Sequence, residues 1–516
     1  MTRRRAEPRA LALALALAAG ASQAQQTDPG AAQAVPPGAS IQPRISVMET
    51  WTDNLRLDDR AKDAALITTV SPGISILRNS GMLRGSLDYT LNGIAYVKST
   101  QASALQNALR ANGTAELIEN HLYVEANANI GQQTTSAFGQ LTASTLTSQG
   151  SVANLADQNR REVITAYISP VLRGRASTLA SYELRTSYTQ TEVRRSALGD
   201  SRGNGSSLRF DGIASGPLNW WLLASTQQTR PVQAPSNRMS SVTAGLTYHP
   251  DTDWTFTANA GRERTDYLGN GTRSGMTGGL NAQWTPTPRT RIGADWQHHE
   301  YGNSHALTFE HRMARSVWSL SDTESVMTGN TGASGGVRTV YDQYFLLFAT
   351  QEPDPIKRDA LVRNYLLSQG LSPDAPVGNG FLSSGPSRLH SQLGSVALQG
   401  VRSSLTATAS RSVTTRLGTG LNQGDLANSS RVEQRSYSLT ASHQLTPASG
   451  LSLTASRQQS LGDLSSQSMT LTSLSANWNS RLGPRLSAQL GARRSRFEGV
   501  TPYTENAAYG SLTQQF

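Results

Sequence analysis

From residue 44 to the last residue, small or apolar side chains alternate with polar ones in segments of about ten to fifteen residues. In one such segment Met276, Leu280 and Trp284 fall on one face, and Thr277 and Gln283 fall on the other. Because successive side chains of a strand point to opposite faces, this pattern predicts a β-strand with one apolar and one polar face. The same alternation recurs at 83–97, 122–130, 240–248, 254–261, 405–413, 451–455 and 486–492.

The apolar faces of these segments are thin and rich in Ala and Leu, with aromatic residues near their ends. A transmembrane β-barrel turns such a face to lipid and its polar face to the interior, and closure satisfies the backbone without a second layer. We therefore predict an all-β fold, a transmembrane antiparallel up-and-down β-barrel of about 22 strands (20–24). A secreted β-helix or multi-sandwich protein is the alternative. The tryptophans assigned to the apolar faces are Trp220, Trp221, Trp254, Trp284, Trp296, Trp318 and Trp478.

Short turns rich in Gly, Pro, Asn and Asp alternate with longer polar loops between the predicted strands. The longer loops are predicted at 134–158, 196–205 and 417–430. Short turns on one rim and long loops on the other are typical of outer-membrane barrels, and both ends of the barrel fall on the short-turn side. The apolar positions of 469–478 change face midway, which predicts a β-bulge near Ser473.

One insert, residues 339–380, departs from the strand pattern. It begins with an aromatic cluster and continues with apolar residues at helical spacing, so a short helical insert is predicted on the long-loop side. A plug inside the lumen, an external cap and an ordinary packed surface helix pair remain open. The residues that define the insert are Tyr341, Tyr344, Phe345, Phe348, Leu361 and Tyr365.

The N-terminal residues predict export. Arg3, Arg4, Arg5 and Arg9 precede an apolar Leu/Ala run at 10–19, and small residues follow at 20–24. This is the pattern of a cleaved signal peptide, predicted at 1–24, with a buried N-terminal helix as the alternative. A Pro/Ala-rich leader follows at 25–43 and the barrel at 44–516.

The amino-acid composition excludes several classes of protein and of site. Apolar residues make up 37% and charged residues 16%, both low for a soluble domain. Cysteine is absent, which excludes disulfides, thiolate metal sites and cysteine nucleophiles. The net charge is +10, but the basic residues are not clustered, so no nucleic-acid partner is predicted.

The last strand carries an assembly signal. Leu512 and Phe516 are in phase on one face, although Gln514 occupies the position between them where an apolar residue is commoner. A terminal Phe on an alternating strand predicts recognition by the barrel-assembly machinery of the outer membrane.

Two segments at the start of the barrel carry a family resemblance. The sequences ISVMETWTDNL (45–55) and LITTVSPGI (66–74) resemble the opening of the outer-membrane β-barrel porins associated with the PEP-CTERM/exosortase system. HRMARSVWSL (311–320) and the insert are also similar, so the resemblance covers essentially the whole mature chain. It implies an outer-membrane barrel of Gram-negative bacteria whose exosortase genes lie among exopolysaccharide genes. It implies no catalytic residues.

The sequence predicts no enzyme, no cofactor and no metal. His298 and His299 are adjacent on a strand and therefore face opposite ways, which prevents joint ligation. No zinc or phosphate-binding motif is present. A barrel hydrolase using one of the many Ser and eight His residues is the third and weakest hypothesis.

Charged residues on the polar faces are the candidate pore lining, with their mutual pairing along a solvated wall as the alternative. The Arg excess favours anionic solutes such as acidic polysaccharide. By strand parity these residues are Arg84, Asp88, Glu116, Glu125, Arg291, Asp295, Arg416, Arg485 and Arg493.

The leading hypothesis is an outer-membrane channel for export or surface handling of exopolysaccharide. The alternative is a non-conducting structural or adhesive barrel whose loops bind a partner or glycan. The predicted partners are outer-membrane lipid, the barrel-assembly machinery, and exopolysaccharide or its export proteins.

Overall fold

The computed structural model describes residues 38–97, 101–143, 145–147, 150–152, 158–196, 198–213, 216–232, 235–266, 271–327, 380–383, 385–418 and 424–516. Within the insert it also describes Tyr341, Tyr344, Phe345, Phe348, Arg358 and Val362. The predicted signal peptide and residues 25–37 of the leader lie outside the described residues.

Twenty-two strands form one antiparallel sheet, which confirms the predicted fold class and strand number. The first half of the chain contributes β1 (Gly38–Thr52), β2 (Ala65–Asn79), β3 (Leu83–Val97), β4 (Ala104–Ile118), β5 (Leu122–Thr134), β8 (Arg160–Arg175), β9 (Ala180–Val193), β10 (Ser201–Gly212), β11 (Leu218–Pro231), β12 (Asn237–Tyr248) and β13 (Trp254–Thr265). Two short strands, β6 (Thr145–Thr147) and β7 (Gly150–Val152), form a separate hairpin in the loop between β5 and β8.

The second half contributes β14 (Arg273–Thr287), β15 (Thr290–His299), β16 (Gly302–Arg312), β17 (Ser316–Met327), β18 (Ser387–Gln399), β19 (Ser403–Arg416), β20 (Arg431–Thr446), β21 (Ser449–Leu461), β22 (Ser468–Arg481), β23 (Leu486–Glu498) and β24 (Tyr503–Gln515). A one-turn helix, α1 (Asp425–Asn428), lies between β19 and β20, and a 3-10 turn (Ser465–Gln467) lies between β21 and β22. Among the described residues, no helix has the length and apolar character needed to cross a bilayer.

The sheet closes where β1 pairs with β24, from Arg44 opposite Gln515 to Thr52 opposite Ala507. β1 itself begins at Gly38 rather than at the predicted boundary of residue 44, because residues 38–43 continue the pairing with β2. The predicted boundary therefore coincides with the start of closure and not with the start of the first strand.

The register separates an apolar outer face from a polar inner face. Trp318 and Leu320 of β17 lie opposite Val396 and Gly394 of β18, and both apolar side chains are exposed. Exposed apolar residues continue on the same face around the barrel, including Leu453, Leu474 and Leu512. In a closed barrel this apolar surface is the lipid-facing one, so the protein is a membrane-spanning barrel of the outer-membrane type.

Two expectations for individual strands were wrong. β22 pairs with β21 and β23 without a register shift, so it has no bulge near Ser473. The face change has another cause: Met469 and Leu471 point inward into an apolar cluster, whereas Leu474 and Trp478 lie on the outer face. The predicted loop 196–205 is also too long, because β10 already begins at Ser201.

Candidate functional site

The site built by the fold is the lumen, whose wall carries most of the predicted pore-lining charges. Strand register places Arg84, Asp88, Glu116, Glu125, Arg291, Asp295, Arg416 and Arg493 on the inner face. Arg485 belongs to none of the strands and lies in the turn between β22 and β23, at the short-turn end. Their role in conduction stays a prediction.

Two of these carboxylates hold arginines from neighbouring strands. Arg44 of β1 reaches across β2 and donates two hydrogen bonds to Asp88, at 2.9 and 2.7 Å, and one to Thr90 at 2.7 Å. Arg185 of β9 likewise donates to Glu125 of β5 at 2.6 and 3.2 Å. Such bidentate pairs fix both the position and the orientation of the charges on the wall.

Arg493 forms a different kind of pair, since it is fully buried. Its guanidinium donates to Glu505 of β24 at 2.8 and 3.2 Å, and the two side chains are only 3% and 1% exposed. It also donates to the carbonyl of Ala143 at 3.0 Å, in the loop after β5. Removing one partner of the buried Arg493–Glu505 pair typically costs about 3–5 kcal/mol, and the hydrogen bond to Ala143 joins the loop to this fixed pair. Arg493 therefore anchors a loop instead of facing open water.

The remaining predicted residues have weaker partners. Glu116 accepts hydrogen bonds from Tyr123 (3.1 Å) and the Asn120 backbone (2.6 Å), and Asp295 accepts one from Asn281 at 3.1 Å. Arg416 donates to the Leu426 carbonyl at 3.3 Å. Arg84 and Arg291 are exposed on the inner wall.

Trp221 was assigned to the wrong face. It lies opposite Asp211 of β10 on the inner wall, and the guanidinium of Arg209 lies 5.1 Å from its ring centroid. Trp220 beside it is exposed on the outer face. Adjacent strand residues cannot share a face, so one of the two tryptophans had to point into the lumen.

Loops fold into the lumen at its long-loop end. We call the described residues of 53–64, 135–143, 194–200, 380–386 and 424–430 the loop cap. Leu55 and Leu57 from the first loop and Leu141 from the second are buried against inner-wall residues that include Phe497 and Tyr503. Tyr503 donates a hydrogen bond to the Leu141 carbonyl at 2.6 Å, and Gln140 donates to the Leu57 carbonyl at 2.7 Å. The loop after β5 thus crosses the mouth of the barrel to β24.

The other half of the loop cap is centred on Asp425 of α1. Its carboxylate accepts hydrogen bonds from the Ser136 hydroxyl at 2.6 Å and the Ala137 backbone at 2.5 Å. Leu426 packs in the same buried cluster as Ala137, Phe381 and the β20 residue Val432. Burial raises the pKa of Asp425 above its ordinary value, and the two hydrogen bonds only partly oppose this shift.

A second carboxylate at the edge of the loop cap shifts the opposite way. Asp463, in the loop after β21, accepts hydrogen bonds from the Ser430 hydroxyl and backbone at 2.8 and 2.6 Å. These bonds favour the charged form and lower the pKa of Asp463. The two loop carboxylates therefore stabilise the loops in opposite pH ranges.

The insert also reaches into the lumen, at the other end. Tyr344, Phe348 and Val362 are buried in one cluster with Val317, and Ala397 packs against it. Val317 is the second residue of β17, next to a short turn, and lies opposite Ala397 on the inner face. β17 ends at Met327 at the long-loop end, so Val317 lies about 30 Å from that end at 3.3 Å per residue.

The remaining described residues of the insert lie beside the cluster formed by Tyr344, Phe348, Val362 and Val317. The Tyr341 and Phe345 ring centroids are 5.5 Å apart, and the Arg358 guanidinium lies 4.7 Å from the Phe345 centroid. Leu361 and Tyr365 lie outside the described residues, whereas Val362 beside Leu361 is fully buried. The described residues of the insert lie inside the lumen against the inner wall, and a role as a plug stays a prediction.

Sequence reasoning missed the partners of the inner-wall charges, which are Arg44, Arg185 and Glu505. Strand parity would have placed all three on the inner face, since each lies on an alternating segment. It could not have paired them, because Arg44 and Asp88 are separated by a whole strand and Arg493 is also bonded to a loop carbonyl.

The outer face carries exposed arginines above its apolar residues. Arg202 of β10 lies directly opposite Arg230 of β11, and Arg238, Arg262 and Arg264 extend the row on β12 and β13. All five lie near the long-loop ends of their strands. Like charges directly opposite each other destabilise a strand pair unless a counter-ion is present. We call this row the arginine row.

The two residues of the assembly signal both belong to the exposed apolar surface. Leu512 of β24 lies opposite Val47 of β1 on the outer face, and Phe516 follows the end of β24. The adjacent histidines face opposite ways as expected. Nδ1 of His298 lies 2.9 Å from Asn303 Oδ1, and Nδ1 of His299 lies 2.9 Å from Glu263 Oε2 on the inner face.

No protein-family profile and no curated protein matches the chain. Solved structures that are similar include the siderophore receptor PirA from Pseudomonas aeruginosa, at 10% identity over 92% of this chain and 80% of that one, with a TM-score of 0.44. The FrpB iron transporter from Neisseria meningitidis shows 10% identity over 92% and 81% of the two chains, with a TM-score of 0.46. The ferric enterobactin receptor PfeA from Pseudomonas aeruginosa shows 12% identity over 93% and 82%, also at 0.46. A likeness of this size does not extend to what this chain binds.

Proposed function

We propose that the protein is a gated outer-membrane channel that serves the export or surface handling of exopolysaccharide. The observation that carries the proposal is the contact of Tyr344, Phe348 and Val362 with Val317, deep inside a closed 22-strand barrel. A barrel of this size has a wide lumen, which outer-membrane transporters fill with a plug. In this proposal the insert acts as the gate of the channel.

The inner wall supports passage of a polar, anionic solute. Arg84 and Arg291 are exposed there and carry fixed positive charge, and Asp88 and Glu125 are each neutralised by an arginine. An acidic polysaccharide is attracted to such positive charge on the wall. The choice of exopolysaccharide as substrate rests on this charge and on the resemblance to the PEP-CTERM/exosortase-associated porins.

The arginine row supports a lipid partner. Its five guanidinium groups are exposed on the outer face near the long-loop ends of β10–β13, and phosphate groups of an anionic leaflet attract such a row. We take phosphorylated glycolipid of the outer leaflet as the counter-ion that this row needs. Leu512 and Phe516 are the surface we assign to the barrel-assembly machinery.

Single-channel conductance of the refolded protein in planar bilayers tests the gate. In the deletion variant a short Gly/Ser linker replaces residues 339–380, and Phe381 and Leu382 remain because both are buried in the loop cap. We expect conductance to rise at least about tenfold, since the deletion opens a lumen as wide as a 22-strand barrel allows. The substitution Val362→Asp, which places a charge in the buried contact, shifts conductance the same way.

The matched control is Val401→Asp. Val401 is 90% exposed in the turn between β18 and β19, so the same substitution there leaves conductance unchanged. A deletion variant that folds and stays silent at all voltages would refute the channel.

The second candidate is a non-conducting structural or adhesive barrel. The loop cap favours it, because at least five loops are fixed there by buried contacts at the mouth of the barrel. On that reading the deletion variant loses glycan or partner binding and its conductance does not change. Binding of acidic polysaccharide to both forms, measured beside conductance, separates the two candidates.

A further inference from the structure

Three neighbouring strands align an imidazole, a carboxylate and a second imidazole in one row on the outer face. Glu324 of β17 lies directly opposite His305 of β16 on one side and His390 of β18 on the other. Directly opposed residues have Cα atoms about 4.5–5.5 Å apart, so the closed sheet holds the three side chains side by side. Each of the three side chains is partly buried.

The ligating atoms of this row converge. One nitrogen of each imidazole and one carboxylate oxygen of Glu324 lie within 4.8 Å of one another. Asp322, two residues before Glu324 on the same face, adds a second carboxylate. Its Oδ1 lies 2.6 Å from Nε2 of His390 and 3.3 Å from Nε2 of His305. Two imidazole nitrogens and the Glu324 carboxylate are therefore directed at one small volume, and Asp322 borders both imidazoles.

We infer that His305, His390 and Glu324 form a binding site for a divalent transition metal, and specifically for Zn²⁺, with Asp322 as a fourth ligand or as an acceptor for a bound water. Zn²⁺ prefers four nitrogen and oxygen ligands at about 2.0–2.2 Å, which places the ligand atoms about 3.4 Å apart. The three ligand atoms lie within 4.8 Å of one another, so zinc binding draws them closer by rotation of the side chains. Imidazole nitrogen with carboxylate oxygen selects zinc over magnesium or calcium, which prefer all-oxygen sites.

Other groups around the row set its affinity. Arg388 of β18 forms an ion pair with Glu324 at 3.3 Å, and Gln392 donates a hydrogen bond to Oδ2 of Asp322 at 3.3 Å. Arg388 engages Oε1 of Glu324 and competes with a metal for that carboxylate. Gln392 holds Asp322 in place beside both imidazoles.

The sequence alone does not indicate this site, because its residues come from three strands and match no zinc spacing motif. The site lies on the outer wall, toward the long-loop ends of β16–β18, so it is separate from the lumen and from the plug. It does not depend on whether the barrel conducts.

The test is direct measurement of zinc binding to the refolded full-length protein in detergent, by titration calorimetry and by bound metal after dialysis. We expect one Zn²⁺ per chain. The double variant H305A/H390A loses that ion, and Asp322→Asn weakens binding about 10-fold to 100-fold as loss of a supporting carboxylate does. Arg388→Gln removes the competing cation and tightens binding.

Two further measurements keep the test decisive. His311→Ala is the matched control, because His311 lies on the outer face of the same strand β16, near its short-turn end and 2.8 Å from Thr290. Heat-dependent mobility on a gel shows that each variant is folded. Co²⁺ bound in place of Zn²⁺ gives the visible bands of a tetrahedral site in the parent and none in H305A/H390A. Absence of zinc binding, or equal binding by parent and H305A/H390A, would overturn the site.

Discussion

At the scale of single residues, strand parity decides which face of the barrel a charged side chain occupies. The sequence predicts this face well. Arg84, Asp88 and Glu125 lie on the inner face as parity requires. Parity cannot show how deeply a residue is buried, which depends on loops that cross the barrel. Arg493 illustrates this, because it shares its face with exposed arginines but is covered by the loop that carries Ala143.

The arginine row gives a residue-scale prediction. Arg202 and Arg230 face each other with no carboxylate ion pair among the described residues, so they repel each other unless an anion lies between them. The variant R202Q/R230Q should be more resistant to urea than the parent in neutral detergent. In vesicles that contain phosphorylated glycolipid the order should reverse, because each Arg gains about 1 kcal/mol near an anionic surface.

Urea unfolding in both media, followed by gel mobility, measures this reversal. Arg84→Gln on the inner wall serves as the control, since it changes the charge without touching the outer face. The same order of stability in both media would argue against a lipid counter-ion.

At the scale of elements, strands were predictable and the loops were not. The alternation of apolar and polar residues is a local signal, so it locates strands and counts them. The loop cap depends on contacts between loops far apart in sequence, such as Ser136 with Asp425. β22 shows how a loop contact can distort the strand pattern. Met469 and Leu471 point inward and pack against the loop cap, and in the sequence this change of face resembles a β-bulge.

The pKa of Asp425 makes the loop cap pH-sensitive. Its folded-state pKa is raised by burial, so its contribution to stability is present below the ordinary value of about 3.9 and is lost as pH rises through the folded-state value. We expect hydrogen-exchange protection of residues 135–143, corrected for intrinsic rates, to fall as pH rises across that window. Asp425→Asn keeps an acceptor for the Ala137 N–H and should flatten the profile. Protection that grows with pH in the parent would contradict the assignment.

At the scale of the whole molecule, the sequence predicts the barrel but does not predict the position of its insert. Closure follows from the number, length and alternation of the strands, all of which are in the sequence. The insert breaks the alternation, so the sequence indicates that it is special without giving its position. Its position follows from an apolar patch on the inner wall, Val317 and Ala397, which lies near the short-turn end and is covered by Tyr344, Phe348 and Val362.

The insert lies inside the barrel against the inner wall of β17, and paired cysteines test this placement most directly. The natural chain has no cysteine, so introduced thiols are the only ones present. V317C/V362C should form a cross-link under mild oxidation in the folded protein, seen as a reductant-sensitive change in gel mobility. W318C/V362C should not, because Trp318 is the next residue of β17 and faces outward. If W318C/V362C forms a cross-link, or if neither pair does, the insert does not lie against the inner wall of β17.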